Sequence, residues 1–168
     1  MRNGGQFLNL ALRAAVLEIK IVSGNTLGFD ILGHVMVIVH ADMPPDSDDW
    51  ARMSRVRDAN LDKLRGVLVI APARASRSAA QRAEVAHAMK VTNASTAVVT
   101  ESALIRGVAR AIGFLGIPVR AFAPAEMASA LNYLVVPQSR HAELIKRAEM
   151  LQAQLLIREP EATVHKGP

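Results

Sequence analysis

Residues 66–90 read GVLVIAPARASRSAAQRAEVAHAMK. Val67–Ile70 is a short, continuous, mostly β-branched run between Gly66 and Pro72. Such a run fits a strand buried on both faces, as parallel sheets require. A loop rich in Pro, Arg and Ser follows, and then an Ala-rich segment with helical spacing. Strand, loop and helix in that order make one unit of an α/β fold, and the chain downstream repeats it.

Thr96–Thr100 (TAVVT) is the next short buried strand. Leu104, Ile105, Val108, Ala111, Ile112 and Leu115 then follow at helical spacing and predict one amphipathic helix facing the core. Gly113 and Gly116 loosen its end and Pro118 stops it. Val119–Phe122 is a further strand. Pro124 opens another helix, whose inner face is Met127, Ala130, Leu131 and Leu134. Ser139 begins a last helix through about Leu156, with Leu144, Ala148, Leu151 and Leu155 on one side. This helix stands beyond the repeating unit, and packs either back on the sheet or on a partner chain.

Upstream, Val16–Val22 alternates apolar and charged residues, the mark of a half-exposed strand at a sheet edge. Phe29–Leu32 and Val35–His40 read as strand, interrupted or bent at Gly33. Met43-Pro44-Pro45 ends it, because proline cannot donate to a ladder. Ser47 is the expected N-cap of a helix reaching about Leu64, with Asp48 and Asp49 in its first turn. Trp50 is expected to anchor that helix on the core rather than to serve as a stacking platform. Met1–Leu12 is compatible with a short helix or a strand lead-in.

The expected fold is therefore α/β. It has a mostly parallel sheet of four to five strands, an antiparallel lead-in strand and about four covering helices, plus a C-terminal helix. The expected organisation is a lead-in over residues 1–15, an α/β domain over 16–136, an amphipathic helix over 137–157 and a disordered tail over 158–168.

Composition narrows the function classes. The chain has 168 residues, of which 51% are hydrophobic and only 4% aromatic, so aliphatic side chains and alanine build the core. There is no cysteine, which removes disulfides and thiolate-bound metals. The longest apolar stretch, near Ile31–Ala41, is broken by Gly33 and His34 and falls short of a membrane span. No cleavage-site pattern follows an apolar segment at the N-terminus, so no signal peptide is expected and the expected address is cytoplasmic. The formal charge is +5, but Asp58, Asp62 and Glu84 interleave with the arginines between Arg52 and Arg82. Without a basic run or interleaved aromatics, nucleic acid is not the expected partner.

Catalytic and metal motifs are missing from the sequence. His34, His40, His87, His141 and His165 are scattered, with no ligand spacing to a carboxylate. There is no glycine-rich phosphate loop and no nucleophile elbow. No cofactor, metal or catalytic residue is expected. Two helix starts remain as candidate anion sites, since free N–H groups there attract phosphate or carboxylate. One holds Arg74, Arg77 and Arg82. The other holds Thr100, Ser102 and Arg106. The alternative at the second is structural: Thr100 or Ser102 caps the helix, and Arg106 pairs with Glu101 or another carboxylate.

Certain residues also resemble a known family. Pro44-Pro45 with Trp50, Gln81-Arg82, Thr100-x-Ser102-x-x-x-Arg106-Gly107, Ala121-Phe122-x-Pro124 and Ala130-Leu131-x-Tyr133-Leu134 are similar to the single-domain STAS-like (SpoIIAA-like) proteins of bacteria. STAS denotes the fold of sulfate transporters and anti-sigma factor antagonists. The resemblance covers roughly 16–136. It implies a sheet of four or five strands covered by helices, and a regulatory protein-binding module without catalysis. In the anti-sigma branch an Asp-Ser-Ser-Gly-type loop carries a phosphorylated serine before the second helix. Here Ser76 and Ser78 stand nearest that place, as candidate phosphorylation sites, while the acidic residue and the glycine are missing. Ser78 equally serves as a plain N-cap. The expected function is thus a non-catalytic interaction module, self-associating as a homo-oligomer or binding a protein partner. The alternative is a sensor of small anions or nucleotides.

Overall fold

The computed structural model of the chain describes residues 22–75, 77–92 and 94–157. The elements run β1 (Val22–Ser23), β2 (Leu27–Leu32), β3 (Val35–His40), α1 (Ser47–Asp58), β4 (Gly66–Ile70), α2 (Ala79–Val91), β5 (Ser95–Val99), α3 (Ala103–Phe114), β6 (Val119–Phe122), α4 (Met127–Tyr133) and α5 (His141–Ile157). Their strands form one sheet in chain order, β1-β2-β3-β4-β5-β6. β1, β2 and β3 pair antiparallel, and β3 to β6 pair parallel. This is the expected α/β fold: five strands of four to six residues and the two-residue β1 at the edge. The alternating segment falls outside the described residues before Val22. So do the expectations for residues 1–15, for Ser76 and for the tail from 158.

Gly33 reverses the chain instead of bending it. Leu32 pairs with Val35, so Gly33 and His34 are the whole connection between β2 and β3. Gly33 has φ +63°, and a Cβ there would lie 2.6 Å from Arg140 Nη1. A two-residue hairpin needs such a φ, and glycine supplies it without strain.

The sheet is covered on both faces. Met36 and Ile38 of β3 join Phe29, Trp50, Met53 and Val69 under α1. Val35, Val37 and Val39 join Leu68, Leu131, Leu144 and Leu151 under α4 and α5. Each parallel crossover is right-handed by the usual rule, which puts α1, α2 and α3 on one face and leaves the other to α4 and α5. α5 therefore takes the first of its two expected places. It lies back on the sheet against β2 and β3. Gly28 permits the approach, since a Cβ there would lie 3.2 Å from Leu151 Cδ2. An ion pair from Arg147 Nη1 to Asp30 Oδ2, 2.6 Å, fixes the crossing.

Three local expectations are corrected. Asp46, not Ser47, caps α1: its carboxylate accepts from the Asp49 N–H at 2.7 Å. A carboxylate one residue earlier catches the same orphan donor and adds charge at the positive end of the helix. α1 also stops at Asp58, and turns carry the chain to the buried Leu64. The third correction concerns α3. Ala109 is buried, with Ile105 and Ile112 half-buried beside it, while Leu104, Val108, Ala111 and Leu115 face outward. The predicted apolar face is thus wider than the buried side: part of it packs inward, part lies in water, and Arg106 and Arg110 take the remaining side.

Candidate functional site

In open α/β sheets ligands sit beyond the carboxyl ends of parallel strands. Here those ends frame a cleft of about 810 Å³, bordered by His40, Asp42, Arg74, Thr100, Glu101 and Glu149. Two of the predicted anion-site residues, one from each helix start, meet on its rim: Arg74 and Thr100. Arg74 is exposed, and its N–H donates to Asp42 Oδ1 at 3.2 Å. Thr100 is buried, and its hydroxyl oxygen accepts from the Ser102 N–H at 3.2 Å. Three carboxylates against one exposed guanidinium make this cleft a poor anion cradle.

The other candidates serve helix ends. Ser78 caps α2 in a reciprocal box with Gln81: its hydroxyl accepts from Gln81 N–H, and its own N–H donates to Gln81 Oε1 at 2.9 Å. Arg82 donates to the Arg77 carbonyl at 2.6 Å. Ser102 caps α3 by accepting from Ile105 N–H. Arg106 does not pair with a carboxylate. Its Nη1 donates to the carbonyls of Thr100 and Glu101, each at 2.9 Å. It reaches back over the turn that opens α3 to these two carbonyls, which precede the cap.

Arg77 has a different environment. Its Nη2 lies 3.4 Å from His40 Nε2, and its Nε has no hydrogen-bond partner among the described residues. His40, at the end of β3, is 3% exposed, and its Nδ1 also has no hydrogen-bond partner among those residues. Burial, with the Arg77 charge adding to it, pushes His40 down to about 3. The ring is therefore neutral near pH 7 and a weak base there. Burial likewise lowers Arg77. The 37 positions between His40 and Arg77 leave this contact without a local sequence signal.

A second surface runs along β6 and α3. Leu104 is 77%, Leu115 80% and Phe114 84% exposed, with Val108 also exposed beside them. A Cβ built on Gly107, in the middle of α3, would meet nothing within 4 Å. Below this helix a groove of about 970 Å³ follows the free edge of β6, between α3 and α4.

The described residues hold no group of three or more His, Cys, Asp or Glu arranged to bind a metal ion. No described helix is long and apolar enough to cross a membrane. No protein-family model matches the chain, and no curated protein matches it either.

Proposed function

We propose that the chain is a non-catalytic, STAS-like interaction module of the cytoplasm that pairs with a second copy of itself through the outer face of α3. The observation that carries this is the apolar outer side of α3: Leu104, Val108, Ala111, Phe114 and Leu115 around the open Gly107. A helix apolar on both sides belongs in an interior, and monomers seldom leave so many large apolar side chains together in water. The five side chains carry no charge themselves, and Arg110 lies at their border beside Phe114. Glycine and alanine at its centre let two helix backbones approach closely. The neutral, buried His40 and the capping roles of Ser78 and Ser102 support a reading without turnover.

Light scattering coupled to size exclusion tests it. The wild-type chain is expected at dimer mass, and Phe114→Glu with Leu104→Glu at monomer mass with an unchanged circular dichroism spectrum. A wild-type chain that stays monomeric at high micromolar concentration removes this contact.

A second reading, binding of a small anion such as phosphate or a nucleotide, rests on Arg77. Its largely buried guanidinium faces a neutral histidine and, among the described residues, forms no ion pair with a carboxylate. An anion supplied from outside would restore the balance that desolvation removed. Phosphate and nucleotides should then raise the melting temperature, and Arg77→Ala should abolish the rise. No rise with any of them disposes of this reading.

A further inference from the structure

β6 is the parallel end of the sheet, and among the described residues only β5 pairs with it. The Thr96 N–H donates to the Pro118 carbonyl and the Thr100 N–H to the Phe122 carbonyl. Even-numbered residues thus spend their backbone groups on β5, and ladder alternation turns the backbone of Val119 and Ala121 to the open side. A further strand added there finds the Ala121 N–H and C=O and the Val119 C=O waiting.

The edge is also charged in one sign. Arg106 and Arg110 of α3 line the groove on one side of β6. Arg120 of β6 lies over Phe122 and Tyr133, its guanidinium carbon 6.0 Å from each ring centre, on the side of α4. None of the three forms an ion pair among the described residues. The one carboxylate lining the groove, Glu126, accepts from the Ala123 N–H at 2.7 Å. One arginine on an edge strand is an ordinary guard against unwanted pairing. Cations on both faces of the strand, flanking a groove with Tyr133 and the exposed Phe114, go beyond that.

We propose that the free edge of β6 takes up an extended acidic segment of another protein as an added strand. Successive side chains of a strand point to opposite faces, so carboxylates at adjacent positions meet Arg120 on one face and Arg106 or Arg110 on the other. Apolar residues between them lie against Phe114 and Tyr133. A second copy of this chain is the wrong occupant, because antiparallel pairing of β6 with itself sets Arg120 beside its own copy. The inference rests on the reading of the chain as an interaction module, and its groove shares only Phe114 with the outer face of α3.

The test uses the full chain and a fluorescein-labelled peptide, Val-Glu-Glu-Val-Glu-Glu-Val, followed by fluorescence anisotropy. Saturable binding is expected, weakened by added salt and lost when glutamine replaces glutamate. Arg110→Glu and Arg120→Glu, both at exposed positions, should each weaken it about tenfold or more, as a reversed charge does at a complementary interface. Ala121→Pro removes only the outward N–H, so it should weaken binding while the melting temperature stays near wild type. Absence of binding, or binding indifferent to all three substitutions, overturns the proposal. So does a fall from dimer to monomer mass in Ala121→Pro, which would make the edge a contact between copies. Mass measurement of Leu104→Glu, outside the groove, in the same buffer reports on the α3 contact separately. Peptide failure with that contact intact overturns the edge proposal alone.

Discussion

The indole N–H of Trp50 donates to Glu84 Oε2 at 2.7 Å and ties α1 to α2. Ser54 and Arg57 also donate to the Glu84 carboxylate. Burial alone would raise this carboxyl. The hydrogen bonds from Ser54, Trp50 and Arg57, with the Arg57 charge, outweigh it and hold the group below its ordinary value. Trp50 is itself buried, so losing the acceptor leaves a buried donor unmet. Glu84→Ala is expected to cost about 2 kcal/mol in urea unfolding. The single tryptophan reports the change as an altered emission maximum in the native state.

Asp49 gives the chain an acid limit. Its carboxylate is buried and accepts from Thr26 N–H at 2.7 Å, the Thr26 hydroxyl at 2.8 Å, Leu27 N–H, and Arg52. Burial pushes it up, but the Thr26 and Arg52 contacts outweigh that and set it below its ordinary 3.8. Its contribution is therefore complete above that value and is lost as pH falls through the lowered folded pKa. Asp49→Ala should destabilise by about 3 kcal/mol at pH 7, since it frees the turn before β2 from the start of α1. Denaturant melts of wild type and variant should converge as the pH drops below 3.8.

His40 adds a second, milder limit. Its folded value of about 3 lies below the ordinary 6.5, so the neutral ring is the folded form. Stability from this group is full above 6.5 and declines steadily as pH falls toward 3. His40→Leu should flatten the stability profile across that window. A wild-type profile already flat between pH 6 and 4 would show that the ring is not held neutral.

Leu144 and Leu104 make a paired test of which helix faces are inside. Leu144 is fully buried against the sheet, and Leu104 is 77% exposed. Leu144→Ala is expected to cost about 3 kcal/mol in the chain's unfolding free energy. Leu104→Ala should change the stability of the monomer by less than about 0.5 kcal/mol. Equal losses at the two positions, measured at a concentration where the chain is monomeric, would show that α3 is buried on both sides.

Much of the architecture is legible in the sequence because it depends on neighbours close along the chain. Val67–Ile70 is a strand by its β-branched run, and Ser78 with Gln81 closes a capping box within three residues. The inner sets Met127, Ala130, Leu131, Leu134 and Leu144, Ala148, Leu151, Leu155 repeat at helical spacing, and all are buried or half-buried as expected. The candidate site was less legible. Arg74 and Thr100 meet because adjacent parallel strands deliver both to one end of the sheet. Ser102 and Arg106 turn instead to the carbonyls and N–H groups of their own helix start.

The amino-acid order by itself determined the strand and helix segments, their alternation and hence a mostly parallel sheet. Period, proline and caps act locally. Only the tertiary structure decided that Gly33 closes a hairpin, that His40 meets Arg77, and that Leu104, Val108 and Leu115 point to water. An apolar arc wider than the buried side, interrupted only by Arg106 and Arg110, does not mark which part of it is inner. That choice is made by the crossover seating α3 against β6, where Ala109 fits and the larger side chains are turned out.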